Sequence, residues 1–266
     1  MTASPGWKES LRAFFHERAS QISGVPTVQD LCFISGREPR MWSDFEMRAD
    51  LATSIVSGCG VDRTSTVLEV GCAAGFLAQL VAPHVGRYEG VDLAPAPLRI
   101  ARRLGLSNAV FRKADGERLP YPDSSFDAAF CYDVYTNFPR FEDGARLITE
   151  MMRVVKQGGR VLVGSIPDSD TEVGYGAHVA HVMEELQRRY GPIPVRPASI
   201  PRAGIWTQLQ RRFGPPARPE IICYYFKKQD FRVLGKKLNA SVEISEIHAR
   251  NPYIGYRFNA IYQKAV

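Results

Sequence analysis

The sequence has few of the features that mark membrane, disulfide-rich and metal-binding proteins. Its five cysteines are scattered over 266 residues with no Cys-x-x-Cys pair, so neither a zinc motif nor a disulfide framework is indicated. No apolar run approaches the ~20 residues that a membrane-spanning helix needs. The first residues lack the charged start and apolar stretch of a secretory signal. We therefore expect free thiols, no bound metal, no membrane partner and a cytoplasmic location.

Long blocks of like charge are also missing. The net charge is +6, but the basic residues occur in short pairs such as Arg102-Arg103 and Lys236-Lys237, which is typical of solvated helix faces. Nucleic-acid binding would favour a continuous basic tract. With 45% hydrophobic and 23% charged residues, the chain can bury a large core, which excludes extensive disorder. We expect a small-molecule substrate and no nucleic acid.

The chain divides into stretches of different character. Residues 1–60 repeat apolar side chains at helical spacing, Met47 and Leu51 among them, and are predicted to form a helical N-terminal cap. Residues 61–266 are predicted to form the main domain. Within that domain, residues 167–227 are a proline-rich insertion, and an insertion of this length is expected to serve function, here as a lid over the substrate.

From residue 65 to 167, β-branched runs alternate with helical patterns, which indicates βα units around a parallel sheet. Right-handed crossovers then predict a doubly wound sheet with ligands at the carboxyl ends of the strands. The predicted strands of the main domain are residues 66–70, 88–93, 110–113, 126–132, 159–165, 241–248 and 256–262. Its predicted helices are residues 76–84, 95–104, 142–155, 176–190 and 228–238.

The strongest motif is the stretch 67–76, VLEVGCAAGF, in which an apolar strand opens through small residues into a helix. Small residues let a ligand approach the backbone, and free N–H groups at a helix start favour an anionic group. That group could be a pyrophosphate or the carboxylate of an amino-acid-like ligand. A Gly-x-Gly-x-x-Gly fingerprint that starts at Gly71 would need glycine at positions 73 and 76, where the chain has Ala73 and Phe76. The pyrophosphate interpretation is therefore weakened.

Two acids follow the next predicted strands. Asp92 ends the second strand, where a carboxylate can accept both hydroxyls of a ribose. Asp115 follows the third strand and could accept from an adenine amino group. Each acid alone is commonly a loop or capping residue. Their joint order and spacing favour an adenosine-containing cofactor.

In these motifs the chain resembles the class I S-adenosylmethionine-dependent methyltransferases, in particular the group of ubiquinone/menaquinone-type and small-molecule enzymes. The resemblance covers about residues 42–167 and rests on residues 68–75, 91–93, 114–127 and 150–160. It implies S-adenosyl-L-methionine as the cofactor. The fold we expect is α/β, a Rossmann-like doubly wound, mostly parallel seven-stranded sheet with an antiparallel last strand, the helical N-terminal cap and a substrate-covering insertion after strand five.

The resemblance also implies residue roles. Glu69, Gly71 and Gly75 would line the methionine part, Asp92 would hold the ribose, Asp115 and Gly116 would flank the adenine and Leu93 would pack on its ring. The exit of strand four, with Tyr132, would pass beside the sulfonium. We add the hypothesis that Arg48, on the helix before strand one, reaches the cofactor carboxylate. The predicted cofactor-binding residues are Glu69, Gly71, Cys72, Gly75, Asp92, Leu93, Asp115, Gly116, Tyr132 and Arg48.

The sequence departs from the family at two positions. Ala73 replaces a frequent glycine, and residues 136–138 read Thr-Asn-Phe where many relatives carry a histidine pair, which puts a standard general base in doubt. A hydroxyl nucleophile must lose its proton, whereas an amine or a carboxylate needs only orientation. His178 and His181 lie three apart and would share a helical face. The predicted catalytic residues are His178, His181, Asp133 and Tyr135.

We therefore expect methyl transfer, most simply O-methylation, to a small acceptor such as a sugar derivative or secondary metabolite. Aromatic residues of the cap and insertion, among them Trp7, Trp42, Tyr175 and Trp206, could wall the acceptor pocket or simply belong to the core. Three alternatives stay open: an RNA or other nucleic-acid methyltransferase, a nicotinamide-dependent oxidoreductase, and a non-catalytic methyltransferase-like partner protein. The sequence leaves the oligomeric state open, a homodimer included.

Overall fold

The computed structural model describes residues 6–192 and 223–265. Its centre is one sheet in the order β3-β2-β1-β4-β5-β7-β6. Neighbouring strands from β3 to β5 are parallel, whereas β7 runs antiparallel to both β5 and β6. The strands are β1 (Thr66–Val70), β2 (Arg87–Asp92), β3 (Ala109–Lys113), β4 (Phe126–Tyr132), β5 (Val155–Pro167), β6 (Ala240–Glu246) and β7 (Arg257–Lys264). The predicted seven-stranded, doubly wound sheet with an antiparallel last strand is confirmed.

Helices cover both faces of the sheet and precede it in the N-terminal segment. The helices are α1 (Trp7–Ser20), α2 (Val28–Ser35), α3 (Pro39–Trp42), α4 (Phe45–Cys59), α5 (Phe76–Val81), α6 (Pro95–Arg102), α7 (Phe141–Val154), α8 (Glu172–Tyr190) and α9 (Lys228–Lys237). Two of the helices end at a left-handed glycine: Gly36 follows α2 and Gly60 follows α4.

Two apolar cores lie on opposite faces of the sheet. One packs α4 and α5 against the sheet through side chains such as Leu51, Leu77 and Phe130. The other packs α7 and α9 through Met151 and Phe231. Burial on both faces explains why the central strands read as continuous apolar runs. Because the parallel strands share one direction, their carboxyl ends meet at a single edge.

Three predicted boundaries differ from the structure by three residues or more, and the others by no more than two. β5 begins at Val155 because this residue pairs with Phe126, and a register shift absorbs the glycines before residue 160. The helix predicted to reach residue 84 is α-helical only to Val81 and continues as a 3-10 turn. α8 starts at Glu172, four residues before the predicted position, with two glycines inside it.

All five cysteines are free thiols, as predicted. Among the described residues, no helix is both long and apolar enough to cross a membrane. The predicted lid falls partly on residues 193–222, which lie outside the described residues.

Candidate active site

A cavity of about 1000 Å³ opens at the carboxyl edge of the sheet. The loops after β1, β2, β3 and β4 form one side of it. Helix α1, the segment between α2 and α3, helix α8 and the start of β7 form the other. Such a volume can hold a nucleotide-sized ligand together with a small acceptor. The predicted residues that line it are Gly71, Asp92, Leu93, Asp115, Gly116, Tyr132 and Asp133.

The turn after β1 has a backbone conformation that depends on its glycines. Gly71 adopts φ 85°, and its N–H and that of Cys72 both donate to Val91 O, at 2.8 and 3.0 Å. A Cβ on Gly71 would lie 2.5 Å from Val134 Cγ2. Gly75, also left-handed, caps α5 and packs towards α6. Of the predicted residues in this turn, only Gly71 faces the cavity, while Cys72 and Gly75 support its shape.

Glu69 lies behind the turn, buried, and does not line the cavity. The Tyr88 hydroxyl donates to its carboxylate. Burial raises the pKa of Glu69 to about 7, against the smaller opposing effects of the Tyr88 hydrogen bond and Arg37. Glu69 therefore organises the interior beneath the site.

Asp92 is held by the backbone on both sides. Its Oδ2 accepts from the Ala73 N–H and its Oδ1 accepts from the Ala94 N–H, both at 2.8 Å. The carboxylate thereby joins the β1 turn to the β2 turn. Burial raises its pKa, although these backbone hydrogen bonds oppose the change. Each carboxylate oxygen keeps a second lone pair, so Asp92 can still accept two hydroxyls from the cavity.

Asp115 is tied to the first helix. Lys8 Nζ lies 2.8 Å from Asp115 Oδ2 and 2.9 Å from Glu117 Oε1. Burial acts to raise the pKa of Asp115, but the Lys8 hydrogen bond and charge outweigh it and the pKa is lowered. Beside it, a Cβ on Gly116 would lie 2.8 Å from both Leu147 and Val70. The β3 loop thus has no room for a side chain at that position.

Asp133 connects three distant parts of the chain. It has a left-handed backbone, φ 59°, directly after β4. Arg37 Nη2 lies 2.6 Å from Oδ2, and Arg257 Nη1 lies 3.0 Å from Oδ1. All three side chains line the cavity. Since both oxygens are engaged by cations, Asp133 is poorly suited to accept a proton.

Arg48 does not reach the cavity. Its guanidinium donates to the carbonyls of Trp42 and Ser43, at 2.7 and 3.0 Å, and so caps the end of α3. Arg37 lies at the cavity instead, 4.9 Å above the Phe76 ring that begins α5. Its buried Nε has no hydrogen-bond acceptor among the described residues.

Three of the four predicted catalytic residues lie away from the cavity. The cavity-facing side of α8 carries Tyr175 and Val179. His178 is outside the lining, bonded to Pro252 O at 2.6 Å and stacked on Tyr256, and His181 is exposed. Tyr135 is fully buried and donates to Phe141 O at 3.0 Å. Only Asp133 faces the cavity, so the structure brings no predicted histidine to it.

Arg37 and Arg257 were not among the residues predicted from the motifs, and Tyr175 was named only among the aromatic residues that could wall the acceptor pocket. Tyr175 Oη accepts from Arg257 Nη2 and Nε, at 2.8 and 3.2 Å. Tyr132 Oη and Asn137 Oδ1 are buried without partners in the described part of the chain. Trp7 and Trp42 also line the cavity, whereas Trp206 lies outside the described residues. Helical spacing could have placed Tyr175 on one face, but no local pattern marks either arginine.

A glycine turn and a strand-end acid at the carboxyl edge of this sheet define an α/β protein of the Rossmann type that binds a nucleotide. Residues 68–163 match the family described as a methyltransferase domain. This match agrees with the resemblance to S-adenosylmethionine-dependent methyltransferases that the sequence motifs indicated.

Individual relatives differ in how much of the chain they match. The chain is 26% identical over 221 residues to the demethylmenaquinone methyltransferase of Deinococcus radiodurans, covering 76% of this chain and 88% of that one. It is 34% identical over 102 residues to the uncharacterized methyltransferase YcgJ of Bacillus subtilis, covering 36% of this chain and only 39% of the relative. The solved DhpI-SAM-HEP complex has a TM-score of 0.61 at 19% identity, covering 99% of this chain and 100% of that one. That likeness concerns the fold.

Proposed function

We propose that the protein transfers the methyl group of S-adenosylmethionine to a small acceptor bound in the same cavity. The observation that carries this proposal is the position of Asp92, which faces the cavity while two backbone N–H groups fix its carboxylate. The fixed acid is pre-organised to accept two ribose hydroxyls. The demethylmenaquinone methyltransferase relative supports a small-molecule acceptor.

The cofactor would lie along the loops after β1, β2 and β3. Gly71, Leu93 and Gly116 offer close approach or apolar contact there, and Asp115 flanks them. The carboxylate of the methionine part would bind Arg37, whose unpartnered buried Nε needs an acceptor. Arg37 thus takes the role first assigned to Arg48.

The acceptor would lie on the opposite side, against the wall formed by Asp133, Tyr175 and Arg257. Bound S-adenosylmethionine supplies an electrophilic methyl carbon on a sulfonium. The protein's part is to hold the nucleophile in line with that carbon, which can contribute roughly 7 to 11 kcal/mol in favourable cases. We retain O-methylation of a sugar derivative or secondary metabolite as the proposed acceptor chemistry. Residues 1–60 would act as a cap, since Trp7, Lys8 and Arg37 reach the cavity from them.

Calorimetric titration with S-adenosylmethionine, S-adenosylhomocysteine and a reduced nicotinamide dinucleotide tests the cofactor assignment. We expect micromolar binding of the two sulfur nucleotides and none of the nicotinamide. Asp92→Ala should weaken binding by at least about 100-fold, because it removes two hydrogen bonds to a charged group worth roughly 1.5 to 3 kcal/mol each.

Asp62→Ala is the matched control. Asp62 also accepts from a backbone N–H, that of Thr64, but in an exposed turn, so cofactor affinity should stay unchanged. Failure of the native protein to bind either sulfur nucleotide would overturn the proposed function.

A further inference from the structure

Among the residues that the structure describes, the acceptor side of the cavity presents neither a histidine nor an unpaired carboxylate. We define this acceptor wall as Tyr132, Asp133, Asn137, Tyr175 and Arg257, all of which line the cavity. Asp133 is the only carboxylate of the wall, and two arginines engage it. Asn137 Oδ1 is unpartnered, but an amide oxygen is far too weak a base to take a hydroxyl proton. A nucleophile that must be deprotonated would find no group here to do it.

The same wall presents hydrogen-bond donors that lack acceptors. Tyr132 Oη is buried and unpartnered in the described part of the chain. Tyr175 Oη accepts twice from Arg257, yet no described residue accepts the Tyr175 hydroxyl proton. Accepting from a guanidinium polarises that O–H and makes it a stronger donor. Two such hydroxyls that line one cavity with the partly buried Arg257 guanidinium are suited to bind a negatively charged oxygen.

The charges facing this wall agree with that assignment. Glu38 also lines the cavity, and Arg40 neutralises it at 2.8 Å. Arg37 and Arg257 share the single Asp133, so these three partly buried side chains carry one net positive charge. If Arg37 binds the cofactor carboxylate, the sulfonium keeps the surroundings of the wall positive.

The geometry points to an acceptor whose nucleophile is already an oxyanion, either a carboxylate or a phosphorus oxyanion, held by Tyr132, Tyr175 and Arg257. This inference rests on the proposed function and names its substrate class. One anionic oxygen forms a bond to the methyl carbon, the carbon–sulfur bond breaks and its electron pair passes to sulfur. The products are a methyl ester and neutral S-adenosylhomocysteine, and no proton is transferred.

Binding to the S-adenosylhomocysteine complex tests the site without requiring turnover. The probes are benzoate, phenylphosphonate and, as the neutral match for benzoate, benzamide. We expect at least one anion to bind and benzamide not to bind. Arg257→Gln and Tyr175→Phe should each weaken the anion at least tenfold, with S-adenosylhomocysteine affinity within threefold of native. That retained affinity also demonstrates that each variant is folded.

Arg250→Gln is the matched control, because Arg250 pairs with Glu46 and Asp50 outside this cavity and should leave anion binding unchanged. Binding of neither anion, or equal binding of benzamide, would overturn the inference. Loss of S-adenosylhomocysteine binding by the native protein would instead overturn the proposed function, so the two failures are distinguishable.

Turnover with methyl-tritiated S-adenosylmethionine separates the two oxyanion sources. Mild alkali releases labelled methanol from a carboxylate ester but leaves a phosphonate ester intact. Between about pH 7 and 9 the rate with benzoate, which is fully ionised throughout, should be nearly constant because no proton is removed. Preferred methylation of neutral alcohols, at a rate that rises tenfold per pH unit, would contradict an oxyanion acceptor.

Discussion

The two sides of the cavity are built by different kinds of contact. On the cofactor side, Asp92 bonds to backbone N–H groups 19 and 2 residues away. On the acceptor side, Asp133 bonds to arginine side chains 96 and 124 residues away. The first arrangement depends on local turns, the second on the completed fold. The proposed ribose contact at Asp92 is therefore encoded in short motifs, whereas the proposed acceptor wall is encoded in the tertiary structure.

The largest effect should come from breaking the cofactor-side turn. Gly71→Ala places a Cβ at φ 85° and 2.5 Å from Val134 Cγ2. Left-handed backbone costs ~1 to 2 kcal/mol and overpacking ~1 to 3 kcal/mol, so urea unfolding should show a loss of about 3 kcal/mol or more. In a Val134→Ala background the same change should cost only the backbone part. An equal cost in both backgrounds would show that contact with Val134 is irrelevant.

A change at Glu69 tests the interior beneath that turn. Its pKa in the folded protein, about 7, exceeds the ordinary 4.5, so the fold favours the protonated form. This stabilisation is complete below pH 4.5 and is lost as pH rises through 7. Relative to Glu69→Gln, the native free energy of unfolding should fall by about 3 kcal/mol across that interval. A difference independent of pH would contradict the assignment, and exposed Glu184→Gln serves as the control.

Substitutions of Arg37 and Arg48 test which of the two arginines binds the carboxylate of the cofactor. Arg37→Met should weaken S-adenosylhomocysteine binding by roughly 10- to 100-fold, the loss of a charged hydrogen bond of ~1.5 to 3 kcal/mol. Arg48→Met should leave affinity unchanged, because its partners are the Trp42 and Ser43 carbonyls. Calorimetry of both variants decides between them, and partial recovery in Arg37→Lys would support a charge contact. The reverse ranking would restore the original hypothesis.

We expect the smallest effect from a substitution of Ala73, the residue that replaces the expected glycine in the turn after β1. Ala73 already adopts φ 43°, so Ala73→Gly relieves strain in the folded state and adds freedom to the unfolded one. The two changes nearly cancel, and we expect stability within about 1 kcal/mol of native. Cofactor affinity should persist, since the Ala73 N–H to Asp92 remains. A large loss of affinity would mean that the Ala73 methyl group itself contacts the cofactor.

The same contrast explains what could be predicted. The sheet and the positions of Asp92 and Asp115 follow from alternating patterns and strand-end spacing, which are local. Arg37 and Arg257 carry no local mark, because their partner Asp133 lies on a separate segment. His178 and His181 were expected at the cavity from spacing alone. The rotation of α8, which spacing does not determine, places Tyr175 and Val179 there instead.

β7 runs antiparallel to β5, and its first residue, Arg257, therefore lies at the edge of the sheet where the cavity opens. The other described residues that line the cavity come earlier in the sequence. Within the described part of the chain, the hydrogen bonds of Arg257 go to Asp133, Ser165 and Tyr175, and none involves the β1 or β2 turns. Substitutions at the start of β7 would thus change the proposed acceptor wall while Asp92 and its backbone partners stay in place. The two binding roles proposed for this cavity are therefore separable by substitution.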